Sequence, residues 1–427
     1  MKMRPLFLLL SCFPVFIFAQ NLNPRNENRI FDEDIASVQL YPAGSPLSLP
    51  FLQINAPTGS LLLEFDHLGD ETQEYEYTII HCDLNWQPSA LEDNEYLSGY
   101  TDDRVLSFAS SFNTRTSYTH YVVQLPNSNI RWTKSGNYLL RVYKEDGDKT
   151  PVLERRFCVV EPIWRINVDF VRPAKVSKQE THHEMDFTVN FEGTRVINPL
   201  TDVHAMLLQN GRWDNAIGPV TPMTTRSDEM VFDYQDKVVF PASREFRYFD
   251  IRSFNNRTDR VHSILVNKND QYEITLETDR SRATSAVTYR SDLNGRFSIE
   301  NQNPNQSLLQ ADYGWALFSL TQNAELENED VYLFGELTDW QLKPKFKMTY
   351  HPEANAYWAE AFVKQGYYNY VYQVVNKNTG EADEEGVEGN DFRTINQYTI
   401  LVYFRPYGGR YDRLMGVSSF DSSEWSK

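Results

Sequence analysis

Residues 75–100 read YEYTIIHCDLNWQPSALEDNEYLSGY, and the first eight alternate in character. Tyr75, Tyr77, Ile79 and His81 fall on one side of an extended chain, with Glu76, Thr78, Ile80 and Cys82 on the other. That period of two is the signature of a strand. The strand closes on His81-Cys82-Asp83, three residue types that bind metals or perform acid–base and nucleophilic chemistry. Alternation sends Cys82 to the face opposite His81 and Asp83, so the three do not converge on one ion. No C-x-x-C, H-E-x-x-H or second Cys–His pair completes a zinc set. The stretch therefore reads as scaffold: a strand, then a turn over Trp86, then one short helical turn opened by Pro88-Ser89.

The same alternation recurs along the chain of 427 residues, in GSLLLEF from Gly59, HYVVQLP from His120, GNYLLRVY from Gly136 and RRFCVV from Arg155. Turn residues punctuate these runs, and the 25 Tyr and 26 Phe favour pleated, half-buried surfaces. No segment carries a sustained helical pattern with caps. The expectation is an all-β protein of consecutive immunoglobulin-like β-sandwich domains. Pro162 interrupts a ladder and sets the first boundary; the polar stretch 279–296 sets the second. The expected limits are 30–160, 163–298 and 307–417.

The first twenty residues place Lys2 and Arg4 before an apolar run, Leu6 to Phe18, and then Ala19-Gln20. This is the order of a secretory signal peptide over 1–19, cut after Ala19. The alternative is lipidation at Cys12, but apolar residues continue past it where a lipoprotein turns polar. The formal charge of −18 opposes nucleic-acid binding, which needs a basic footprint, and adsorption to anionic lipid. Past the leader no segment is long and apolar enough to cross a membrane, so no membrane insertion is expected. Two cysteines remain there, Cys82 and Cys158. They leave a single bridge or two free thiols open, although parity puts Cys158 with Glu154 and Arg156, opposite Leu153, Phe157 and Val159.

Other constellations are as unproductive. His182 and His183 are adjacent and point apart on a strand. There is no G-x-S-x-G elbow, and no basic residue beside Cys82 favours its thiolate. No catalytic residue, metal or cofactor is expected. LFGELTDWQLKPKF resembles the first strands of early-set, glycogen-binding-type modules through the spacing of Gly335 and Trp340. GYYNYVYQV resembles their later strand through Gly366, Tyr368 and Tyr370. That resemblance implies a carbohydrate-binding alternative in which Trp340 and Trp358 stack on sugar rings.

A broader resemblance covers residues 30 to 417. The blocks HCDLNWQPSALEDNEYLSGY, SGNYLLRVY, RRFCVVEP, QNGRWDNA, REFRYFDIRS and EGNDFRTINQYTILVYFRP occur in the order found in a Bacteroidetes family named for the plug of the type IX secretion system. His81, Cys82, Asp83, Trp86, Pro88, Ser89, Gly136, Asn137 and Tyr138 carry its signature. The resemblance implies a non-enzymatic periplasmic gate. It would dock on the periplasmic end of the outer-membrane translocon barrel and close the pore when no cargo is exported. Interfaces of that kind use aromatic and Arg anchors, which points to Arg131-Trp132 and Arg212-Trp213 as candidate partner-binding residues.

Overall fold

The structure, a computed structural model, describes residues 27–56, 59–287, 289–302 and 307–424. The expected leader, with Lys2, Arg4, Cys12 and Ala19, lies outside the described residues. The described residues are all-β, built as three pairs of stacked sheets with a two-stranded ribbon of Leu97–Gly99 and Ile130–Trp132, and their α-helices are single turns of four residues. In the first pair, one sheet runs in the order Arg29–Ile30, Pro151–Val160, Gly136–Lys144, Tyr75–Cys82 and Asp102–Arg104. Facing it are Ile35–Pro42, Leu61–Leu68, Tyr118–Leu125 and Ser107–Ser110. Residues at alternate positions, among them Tyr75, Tyr77, Ile79, Tyr138, Leu140 and Phe65, fill the space between.

The second pair packs Arg165–Val171, His182–Asn190, Glu229–Phe232 and Thr224–Arg226 against Ile217–Val220, Val203–Gln209, Gln397–Phe404 and Arg413–Asp421. In the third, Arg247–Asp250, Gly366–Asn376 and Phe297–Ile299, with Glu329–Phe334, cover a sheet led by Val261–Val266, Tyr272–Leu276, Tyr313–Thr321 and Ala356–Lys364.

The expected limits 163–298 and 307–417 cut across these sheets. Val203 pairs with Phe404 and Gln209 with Tyr398, so the chain's last strands complete the second sandwich. Arg247 pairs with Tyr370, so the third sandwich begins far earlier than residue 307. The third sandwich is thus an insertion in the second. Its two connections lie side by side: the Asn396 amide donates to the Ala242 carbonyl at 2.8 Å, and Ser243 N donates to Asn390 Oδ1 at 2.8 Å. Alternation reports that a strand exists but not which partner it takes, and here the partner lies nearly two hundred residues away.

The short helix also sits later than expected, over Asp93–Tyr96. Pro88 bridges Cys82, and Ser89 N donates to the His81 carbonyl at 2.9 Å, so that dipeptide extends the sheet instead. The helix is opened by Glu92, whose N–H is capped by the Glu95 carboxylate at 2.8 Å.

Parity places Cys158 as the sequence indicates, on the face away from Phe157 and Val159. Cys82 and Cys158 are both buried, and neither is in a disulfide. Asn137 pairs with Cys82 on one side and with Cys158 on the other, so a strand separates them. Two interstrand steps put the Cα atoms about 10 Å apart, beyond the reach of a disulfide. Alkylation of the unfolded protein without reductant, read by mass spectrometry, should label both thiols. Recovery of a peptide linking Cys82 to Cys158 would contradict the register.

Candidate functional site

The sheet holding Val203–Gln209 and Gln397–Phe404 is buried on both faces, which explains the nearly unbroken apolar runs VHAMLL and ILVYF. Ala205, Leu207, Ile400 and Val402 fill the second sandwich. Met206, Leu208, Leu401 and Tyr403 point the other way, into a separate core shared with Cys82, Leu84, Trp86, Leu139, Cys158 and Val160 of the first sandwich. Of the signature residues, Cys82 and Trp86 lie in this joint and Asn137 bonds across it, whereas Tyr138 packs in the first sandwich's own core.

Five of the signature residues shape the joint or its rim. Asp83 Oδ1 accepts from Asn85 N at 2.8 Å and Gln87 N at 2.9 Å, and its carbonyl accepts from Trp86 N at 3.0 Å. This closes a tight turn with Trp86 at φ +66°, and it seats the indole in the joint. The Trp86 ring meets Trp213 edge-on at 4.9 Å, and the Arg156 guanidinium lies over Trp86 at 4.5 Å. His81 is buried among Tyr96, Tyr138 and Tyr411, and its Nε2 donates to the Ser135 carbonyl at 3.1 Å. Gly136, at φ +133°, lets the chain pass: a Cβ there would stand 2.7 Å from that same Nε2 and 3.0 Å from the Asp412 carbonyl. Asn137 is the centre. Its amide donates to the Asp83 carbonyl at 3.1 Å, and its oxygen accepts from Tyr403 Oη at 2.8 Å and lies 3.4 Å from Cys158 Sγ.

The arrangement offers packing and hydrogen bonds rather than a reacting pair. Burial pushes the Cys158 thiol well above its ordinary value, away from thiolate. Among the described residues, no group of three or more His, Cys, Asp or Glu side chains is placed to hold a metal ion. A cavity of about 240 Å³ borders the joint, where Trp86, Arg156, Trp213 and Trp340 meet Glu336 and Asp339. Its charges are mixed in sign.

The candidate anchors sit differently from expectation. Arg131 is exposed, but Trp132 is packed in the first core against Phe157 at 5.5 Å. Alternation on the short strand Ile130–Trp132 turns the two side chains apart. Arg212 is buried, paired to Asp214 at 2.7 Å and Glu384 at 2.9 Å, with Trp340 beneath its guanidinium at 4.9 Å. With Trp213 on Trp86, the pair clasps neighbouring sandwiches and is not a free surface. Trp340 packs against Phe246 and Phe334, whereas Trp358 lies on the opposite sheet, stacked on His351 at 4.2 Å. The two rings form no common platform for a sugar.

A second joint was not anticipated. Asp66 of the first sandwich is buried against Lys364 of the third at 2.6 Å, with Tyr313 Oη at 2.6 Å and His120 Nδ1 at 2.7 Å. Burial alone would raise Asp66, but Lys364 and then His120 hold it below the usual carboxylate range. Arg155 to Asp339, at 2.9 Å, adds another buried pair between the same two sandwiches. The available signal was a charge inside an apolar strand, as in LLLEFDHL and RRFCVV.

Residues 35–161 match the family model described as the type 9 secretion system plug protein, first domain. The chain carries the first domain of the type IX secretion plug protein family. That segment coincides with the first sandwich and contains every signature residue named above. The plug family is a component of the secretion system, so association with that system and an envelope setting follow. No curated protein matches. Among solved structures, a hypothetical protein from Parabacteroides merdae ATCC 43184 is 31% identical, with a TM-score of 0.88 over 93% of this chain and 99% of its own. That relative therefore shares the architecture of this chain over nearly its whole length.

Two measurements test the joint. Asn137→Leu strands the Tyr403 hydroxyl and the Asp83 carbonyl in an apolar core, and should cost about 2–4 kcal/mol in urea denaturation. An unchanged midpoint would remove Asn137 from its central place. Burial also pushes His81 from its ordinary 6.5 down to about 4. A histidine lowered in the folded state favours folding fully above 6.5, and that contribution, up to about 3 kcal/mol, is lost as pH falls from 6.5 to 4. The stability of His81→Asn should fall less steeply across that interval; parallel profiles would contradict the assignment.

Proposed function

We propose that this protein is a non-enzymatic periplasmic gate. It binds the periplasmic end of the outer-membrane type IX translocon barrel and closes the pore when no cargo is in transit. The observation that carries this reading is the family match, seated on a first sandwich that is locked to both its neighbours. A stopper for a wide pore must keep its shape under side load, and a body whose modules swing freely would leak. Here the contacts between sandwiches are an apolar core, the Asn137–Tyr403 bond and the Asp66–Lys364 and Arg155–Asp339 pairs. The acidic charge of the chain supports steering toward a basic mouth, an effect that weakens as salt screens it.

The test is co-purification from envelope extracts with a tagged full-length chain. The translocon barrel should be the major partner, and a deletion strain should admit large antibiotics that the intact outer membrane excludes. If the barrel is absent from the purified material and permeability is unchanged, the gate reading fails.

A further inference from the structure

The strand Ser107–Ser110 closes one edge of the first sandwich, and all four residues are exposed. It pairs antiparallel with Tyr118–Leu125 in the register Ser107 to Val122 and Ser110 to Thr119. Ser111 N donates to the Tyr118 carbonyl at 2.8 Å, which fixes the parity of the ladder. Residues 107, 109 and 111 bond inward, so the N–H and C=O groups of Phe108 and Ser110 aim outward. Phe112 shares that outward parity, and its N–H already reaches the Leu309 carbonyl of the third sandwich at 3.2 Å. Among the described residues, the outward groups of Phe108 and Ser110 meet no backbone partner.

Side chains repeat the pattern. Leu106, Phe108 and Phe112 lie at alternate positions, and are 76%, 51% and 47% exposed. They form an apolar shoulder where the sandwich opens, with Phe108 resting on Tyr121 at 5.6 Å. Between them the other face is Ser107, Ala109 and Ser111. From Val105 to Thr114 no residue is charged, in a chain whose charged fraction is 23%. The flanking arginines are committed elsewhere, Arg104 to Glu145 and Arg115 to Asp270. Natural sheet edges are guarded by charge, proline or a bulge, because an open edge recruits any extended chain. This edge carries none of those guards.

We infer that the Ser107–Ser110 edge is a docking strand. Its occupant is an extended, uncharged segment of the translocon barrel's periplasmic side, added as a further strand with apolar residues at alternate positions. The backbone groups call for an extended chain, the shoulder for apolar side chains two apart, and the ten-residue lack of charge for an uncharged occupant. The inference rests on the gate reading and specifies its surface.

The experiment compares full-length wild type, Phe108→Lys, Ser110→Pro and Ser110→Thr in barrel co-purification, with thermal unfolding as the folding control. Proline at 110 removes an outward donor and leaves the inward ladder intact. Phe108→Lys and Ser110→Pro should retain the barrel about tenfold less well, while Ser110→Thr and all unfolding curves stay near wild type. A photoreactive benzoyl-phenylalanine at 108 should crosslink to a barrel peptide of alternating apolar residues. If wild type and both disruptive variants hold the barrel equally, the edge is overturned and the gate reading stands. If wild type fails to bind it, the gate reading falls first and takes the edge with it. A wild-type dimer in light scattering that Ser110→Pro converts to monomer would reassign the edge to a second copy of this chain.

Discussion

One carboxamide ties the first two sandwiches together. Asn137 lies in the middle strand of its sheet, with Cys82 and Cys158 as its cross-strand neighbours, and reaches out to Tyr403 on the facing sheet. Its surroundings are apolar on every side, so each polar atom at that point must find a partner or forfeit its solvation. The side chain satisfies the Asp83 carbonyl and the Tyr403 hydroxyl together, and so sets the register in which the two sheets face one another. Leu84 N, which donates to Asp412 Oδ2 at 2.9 Å, repeats the logic at the rim of the same core.

Much of the architecture was legible from local pattern. The period of two located the strands, and parity placed Cys158 opposite Phe157. The same parity holds in Gly366–Asn376, where Tyr368, Tyr370, Tyr372 and Val374 share one buried face. What local pattern does not carry is pairing. The runs VHAMLL and ILVYF announce strands buried on both faces, yet nothing in either names the other as neighbour. The candidate anchors failed for a related reason. A tryptophan beside an arginine in a turn-like sequence looks exposed, but Trp132 and Arg212 are held inward by packing contributed from distant strands. In the His-Cys-Asp triplet parity separates the side chains, His81 turning to Tyr96 and Tyr138 and Cys82 to the joint.

The polar locks sit where sandwiches meet, and this location governs what they do. A buried ion pair such as Asp66–Lys364 adds little net stability over apolar packing of the same shape, since both partners give up water. It does penalise misalignment heavily, because a small slip leaves two unpaired charges in the interior. Apolar cores would tolerate a range of tilts between sandwiches. The ionic and amide contacts select one, and that selection turns three modules into a body of fixed outline.

The nesting of the third sandwich sets an order of assembly. The strand Val203–Gln209 emerges well before its partner Gln397–Phe404. Until then the second sandwich lacks two strands, and Val203–Gln209 has only Ile217–Val220 beside it in its sheet. The third sandwich, whose strands lie between residues 247 and 383, can close in the meantime and bring the chain's two connections together. That closure shortens the effective loop between the waiting strand and its partner from almost two hundred residues to the stretch from Gln209 to Ala242. The inserted module therefore shortens its host's search, and the second sandwich is the part of this chain that waits longest for its strands.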